Sequence, residues 1–217
     1  ATSGTRPVLR FFAGDYAPDL CEQTDMIDTA YDQGVPMGGE VTLSATGSAP
    51  RFLVSARKDA GTLTSTGTDL QRVQIIKGWV DAEGVTHERV YDIEGVADNG
   101  SGVDSNTCAR VGSGIQQSCQ VWQDLTFEST ESAFYYVRLL ENPSCRWSTL
   151  QCQAAGVNPF ANSCETQAAE ATLLAQENGA SGDVYGKCCI DHAQQAFYAP
   201  VIQERAWSSP IWYRAPE

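Results

Sequence analysis

Histidine is nearly missing from this 217-residue chain, which has His87 and His192 and no other. A zinc hydrolase motif of the H-E-x-x-H kind, with two histidines on one helix face sharing an ion, is therefore excluded. Long apolar runs are missing as well: none approaches the roughly 18 residues that a membrane-crossing helix needs. Basic residues are scarce, with 14 Lys and Arg against 27 Asp and Glu, and the net charge is −13. Such a surface repels a phosphate backbone, so nucleic acid is not expected as a partner. Neither a phosphate-cradling G-x-x-x-x-G-K-[ST] loop nor a G-x-G-x-x-G occurs. No G-x-S-x-G elbow joins a strand to a helix, and "GSGIQQS" has the wrong frame for one, which removes the usual support for Ser-His-Asp catalysis. The C-x2-C pairs of a zinc ribbon are absent. The opening "ATSGTRPVLRFF" has no initiator Met. It also lacks the basic start, apolar core and small-residue cleavage site of a signal peptide.

What is present is enough apolar matter for a core: 42% hydrophobic residues, with 5 Trp, 8 Tyr and 7 Phe. The first two thirds of the chain alternate with period two. "VTLSA" points Val41, Leu43 and Ala45 one way, and "RFLVSA" does the same with Phe52, Val54 and Ala56. "LQRVQIIKGWV" sets Val73, Ile75 and Trp79 on one face, with Ile76 and Val80 on the other. "HERVYDI", "QVWQDLTF" and "AFYYVRLLE" continue the pattern. Short alternating runs separated by turn signals such as "GVPMGG", "DAEG" and "DNGSG" predict half-buried strands. The expected fold is mainly β, an antiparallel, immunoglobulin-like β-sandwich. In "AWSSPIWY", Pro210 has no amide to donate, so the last strand is expected at an edge or with a bulge.

One early helix is expected over "DMIDTAYDQ", with Thr24 as its cap, Gly34 as a left-handed stop, and Met26, Ile27, Ala30 and Tyr31 on one face. The stretch 146–200 differs in being rich in Ala, Gln, Asn and Ser. Within it "SCETQAAEATLLAQENG" reads as a helix with Ser163 at its start and Gly179 at its end. The chain is thus read as a single domain over 1–217, with a short helical, disulfide-rich insertion over 146–200.

The eight cysteines are Cys21, Cys108, Cys119, Cys145, Cys152, Cys164, Cys188 and Cys189. An even, high count without zinc spacing reads as disulfides formed in an oxidising compartment, so the chain is expected to be exported, to the periplasm or beyond. Cys108 with Cys119 is the pair expected first, because their short separation suits a loop between strands. His192 with Cys188, Cys189 and Asp191 is an alternative soft-metal set. Adjacent cysteines point their side chains apart, which favours disulfides. His87 reads as a surface residue beside a turn. Asp15, Asp19, Glu22 and Asp25 form one acidic loop and Asp98, Asn99 and Asp104 another. Calcium wants six to eight oxygens, and without the full loop spacing both read as solvated turns. Trp79, Trp147, Trp207 and Trp212, with Tyr135, Tyr136 and Tyr213, are either a sugar-stacking platform or, the favoured reading, sandwich core. No metal site and no cofactor is expected in this chain.

Several segments taken in order carry a resemblance: "ATSGTR", "RFFAG", "GVPMGG", "LQRVQIIKGWVD", "ERVYDI", "AFYYVRLLE", "RWST" and "QERAWSSPIWY". Together they resemble the C-terminal third of a bacterial domain-of-unknown-function family, numbered 3604. Members of that family are longer, and their N-terminal part resembles the PHP (polymerase and histidinol phosphatase) metallohydrolase domain. The resemblance implies that this chain is a C-terminal fragment beginning where the hydrolase-like barrel ends. It implies an exported hydrolase, with phosphoesterase the narrower expectation, whose N-terminal part would be this chain's partner and would hold the divalent metal. The chain alone would not be catalytic. Arg6 in "SGTR" falls at the implied junction, where its guanidinium is a candidate to reach an anionic substrate; a structural salt bridge is the plainer reading. The Cys-rich excursion stands where the family has a short link. The alternative function is a self-standing secreted module that binds a glycan or a protein.

Overall fold

A computed structural model of the chain describes residues 1–42 and 48–216. It divides into two compact units, one holding residues 1–99, 113–142 and 204 onward, the other 100–112 and 143–203. In chain order the elements of the first half are β1 (Val8–Gly14), α1 (Met26–Gln33), β2 (Gly34–Pro36), β3 (Glu40–Val41), β4 (Arg51–Arg57), β5 (Leu70–Val80) and β6 (Thr86–Gly95). Then follow β7 (Gly102–Val103), β8 (Arg110–Val111), β9 (Gln117–Gln123), β10 (Ala133–Glu141) and β11 (Ser144–Cys145). The chain ends with α2 (Trp147–Ala154), α3 (Cys164–Glu177), β12 (Val201–Ile202), β13 (Arg205–Trp207) and β14 (Ile211–Tyr213).

The first unit holds two sheets. The smaller has the order β2-β1-β4-β9 and is antiparallel throughout. The larger has the order β3-β14-β10-β5-β6, with β13 also paired to β10. Its one parallel pairing is short, Trp212 with Glu40 and Tyr213 with Val41. The alternation read from the sequence sets the inner faces. Phe11, Ala13, Phe52, Val54 and Ala56 of the smaller sheet and Val73, Ile75, Tyr135, Val137 and Leu139 of the larger form one buried cluster. The Phe52 ring lies 4.5 Å from that of Tyr135 and 5.5 Å from that of Phe11. Residues of both sheets thus share one core, a mainly β, antiparallel architecture compatible with the immunoglobulin-like sandwich expected. Val41 joins this core as expected, whereas Leu43 and Ala45 lie outside the described residues.

"RFF" and "RFLV" are apolar at consecutive positions because the smaller sheet is covered on both sides. Phe12 and Leu53 face outward and pack with Tyr16, Leu20 and Ala30 of the segment that carries α1. That helix begins at Met26 with Asp25, not Thr24, in the cap position, and the Asp25 side chain makes no capping bond. Gly34 is not a left-handed stop. Its φ of −154° is extended, and it opens β2. Its need for glycine is a close approach: a Cβ there would lie 1.8 Å from the Tyr16 hydroxyl, which donates to the Ala30 carbonyl at 3.0 Å. Pro210 sits in the break between β13 and β14, the irregularity its missing N–H calls for, while β14 itself is flanked on both sides.

The second unit is held around a small core of Cys152, Val157, Cys164, Ala168 and Ala171, with Tyr185, Cys188 and Cys189 against it. It contains α2, α3, the β7–β8 hairpin and the short β11–β12 pair. Ser163 precedes α3 as expected, but its hydroxyl makes no cap bond and instead accepts from Gln167 Nε2 at 3.1 Å. Gly179, just past Asn178, has φ +95° and ends the helix in the left-handed conformation glycine permits.

All eight cysteines are paired, as Cys21–Cys119, Cys108–Cys145, Cys152–Cys188 and Cys164–Cys189. The expected Cys108–Cys119 bridge is therefore wrong. Cys108 belongs to the second unit and Cys119, in β9, to the first, and the chain passes from one to the other after residue 112. Cys21–Cys119 ties the segment before α1 to the smaller sheet. Adjacent Cys188 and Cys189 do point apart, one reaching α2 and the other α3. Four disulfides argue for an oxidising, exported compartment, and no helix of the described residues is long and apolar enough to cross a membrane.

Candidate functional site

The outer face of the larger sheet carries an aromatic strip. In β10 the even-numbered positions point away from the core, so Phe134 and Tyr136 face outward. Register brings Trp212 of β14 beside Phe134 and Trp207 of β13 beside Arg138 on the same face. The rings of Phe134 and Trp212 are 5.3 Å apart. Those of Phe134 and Tyr136 are 6.4 Å apart with planes only 14° from parallel. Gly78 explains the flat posture of Phe134. It lies opposite Phe134 in β5, and a Cβ there would come within 2.3 Å of the ring, so the ring occupies the space a side chain would fill. Trp212 is 47% exposed and Val90 of β6, on the same face, 41%. Ile76 between them is fully buried. One margin of the strip is polar: Arg138 Nε donates to Gln74 Oε1 at 2.7 Å, and Gln74 Nε2 to Asp92 Oδ1 at 2.6 Å.

The expected aromatic set therefore divides. Tyr135 and Tyr213 are core, and Trp79 packs against it. Tyr136, Trp207 and Trp212 lie on the outer face with Phe134, which the sequence reading did not single out. Trp147 is 67% exposed and belongs to the second unit. The signal for Phe134 was available. In "AFYYVRLLE" both parities are aromatic or aliphatic at the start of the strand, as in a strand covered on both faces.

The core also encloses a charge pair that the sequence reading missed. Lys77 Nζ lies 2.7 Å from Asp124 Oδ2, with both side chains almost wholly buried. Asp124 accepts from the Tyr135 hydroxyl at 2.9 Å and from Thr126 N and Oγ1, each at 2.8 Å. Lys77 donates further to the Thr126 carbonyl at 3.2 Å and sits 4.9 Å above the Trp79 ring. Burial pushes the Asp124 carboxyl up. The hydrogen bonds from Lys77, Thr126 and Tyr135 outweigh it and leave the group below its ordinary value. Tyr135 is raised, first by burial and then by the Asp124 charge. Every donor and acceptor named here has a partner within the core, so the network has the character of a structural element.

The remaining sequence candidates are dispersed. Arg6 is exposed, and its backbone N–H, not its guanidinium, makes the close contact, to Asp59 Oδ2 at 2.8 Å. Asp59 is held below its usual range by the Gly61 and Arg6 N–H groups and, more weakly, by the Arg6 charge. His87 Nε2 donates to the Asp81 carboxylate at 2.7 Å and the ring stacks on Trp79, a surface arrangement on β6. Asp104 closes a turn on Asn106 and Thr107. Asp15 lies 3.8 Å from Arg51. With Cys188 and Cys189 in disulfides, His192 keeps no soft partner from the proposed set. Among the described residues no three His, Cys, Asp or Glu side chains converge as a divalent ion requires.

A family model described as "Protein of unknown function (DUF3604)" matches residues 1–172. The match runs from the first strand into α3, and "QERAWSSPIWY" lies beyond it. No curated protein and no solved structure matches the chain.

Proposed function

The chain belongs to the DUF3604 family, and on that premise we propose that it is the accessory β domain of an exported, PHP-like metal-dependent hydrolase, not catalytic by itself. The observation that carries this reading is the aromatic strip. Flat, partly exposed rings on a sheet face are what a large apolar protein interface uses as anchors. The path of the backbone at residue 1 supports the reading. The Ala1 amino group donates to the Trp207 carbonyl at 2.9 Å and Trp207 N donates to the Ala1 carbonyl at 2.8 Å. In this reading, a segment preceding Ala1 would emerge beside Trp207, at the border of the strip. In this reading the hydrolase-like part rests on Phe134, Tyr136 and Trp212 and supplies the metal ligands, while Arg6 reaches toward its anionic substrate.

The test is to produce the PHP-like part encoded with this chain and measure its association with the β domain. Phe134→Ser with Trp212→Ser should weaken it by about 2 kcal/mol or more, roughly thirtyfold in Kd, without unfolding the sandwich. Arg6→Lys in the whole protein keeps the charge but loses the planar fork, and should raise KM for an anionic substrate with stability unchanged. Unchanged kinetics would leave Arg6 a structural residue. A gene that encodes this chain directly after a signal peptide, with no hydrolase-like part, would overturn the accessory reading in favour of a self-standing secreted binding module.

A further inference from the structure

We propose that the second unit carries a binding site for a small carboxylate on a flat apolar body. This proposal does not rest on the accessory reading. The unit contains a cavity of about 530 Å³, within the size range of small-molecule sites. One wall is the Cys152–Cys188 disulfide, which fixes α2 to the turn after Tyr185. Tyr185, Ile190 and Tyr198 line it, and two large rings stand at it unburied, Trp147 at 67% exposure and Phe197 at 77%. A single exposed apolar side chain is ordinary, but two large rings together at one concavity are informative.

Charge decides the class of ligand. The chain as a whole is strongly acidic, yet among the described residues no Asp or Glu lines this cavity, whereas Arg146, Lys187 and His192 do. Arg146 is positioned rather than free to swing. Its Nε donates to the Ala199 carbonyl at 2.9 Å, and its guanidinium lies 5.5 Å from the centre of the Phe197 ring. The two terminal nitrogens have no carboxylate partner among the described residues and offer the parallel pair of donors that a carboxylate accepts. A cation held at one side and aromatic faces beside it match an anion with an attached ring better than a bare anion or a neutral sugar. The disulfides hold the walls in place before the ligand arrives, which lowers the ordering that binding must supply.

The experiment titrates the oxidised chain with 2-naphthoate, 2-naphthamide and 2-naphthyltrimethylammonium, by calorimetry and by backbone amide shifts. Naphthoate should bind, with the shifted amides confined to residues 146–152 and 184–200. The neutral amide should bind about tenfold or more weakly, the worth of one charge-assisted hydrogen bond, and the cation should not bind. Arg146→Lys should lose about tenfold for naphthoate while leaving naphthamide unchanged. Because Arg146 also holds Ala199, Trp147→Ser is measured beside it. That ring makes no hydrogen bond among the described residues, and its loss should weaken naphthoate and naphthamide alike with the thermal transition intact. Equal affinity for naphthoate and naphthamide, shifts mapping outside the cavity, or no binding by any of the three overturns the proposal.

Discussion

Replacing Cys152, Cys164, Cys188 and Cys189 by Ser should unfold the second unit and leave the sandwich folded. The core of that unit is made of small residues and the disulfides themselves, with Val157 its one fully buried aliphatic side chain. Apolar burial on that scale cannot offset the backbone entropy of ordering residues 143–203. The two bridges close loops with sequence separations of 36 and 25 residues. Loops of that size restrict the unfolded chain by about 3–4 kcal/mol each. Together they exceed what so small a core supplies. The first unit has one disulfide, Cys21–Cys119, and a two-sided core of Phe, Tyr, Val, Ile and Leu, so it should tolerate the change. Amide exchange is the direct measurement. Protection should vanish over α2 and α3 and persist over β4, β5 and β10. Persistent protection in α3 would show that helix packing alone suffices.

Much of the sandwich was legible because one rule governs it. Phe52, Val54 and Ala56, or Val73 and Ile75, alternate with polar or outward residues, and the pleat turns that alternation directly into an inner face. The same rule, carried through, places Lys77, two residues after Ile75 and two before Trp79, on the core side. Residue type, not parity, hid it, since a lysine in such a strand is ordinarily read as a solvated exception. Its partner Asp124 lies in the loop after β9, where no periodicity operates. Pairing of cysteines failed for a related reason. Nearness along the chain favoured Cys108 with Cys119, but disulfides follow nearness in space, and the passage between units at residue 112 leaves no local mark. Gly34 was read correctly as special and for the wrong cause. A glycine after a helix suggests a left-handed cap, and only the Tyr16 hydroxyl, eighteen positions earlier in the chain, reveals that the requirement is space.

Removing either member of the Lys77–Asp124 pair should destabilise the first unit by about 3–5 kcal/mol, the usual penalty for leaving one buried charge without its partner. Lys77→Met strands the Asp124 carboxylate with only hydroxyl and amide donors. Asp124→Asn strands the Lys77 ammonium between the rings of Trp79 and Tyr135. The double variant Lys77→Met with Asp124→Leu removes both charges and should recover most of the loss, leaving the Tyr135 hydroxyl to find another acceptor. Urea unfolding at neutral pH distinguishes the three. A double variant as unstable as the worse single one would mean that the network's hydrogen bonds, not the charges, carry the effect. Acid provides an independent check with a definite sign. An unfolded aspartate titrates near about 3.9, and Asp124 in the fold titrates lower. Below the unfolded value the unfolded chain takes up a proton that the folded chain still refuses, so the stability due to Asp124 is complete above about pH 4–5 and drains away as pH falls through the depressed folded value. The gap between wild type and Asp124→Asn should therefore be widest at neutral pH and narrow steadily below pH about 4. A gap that stays constant down to acid unfolding would place the ion pair outside the stability of the sandwich.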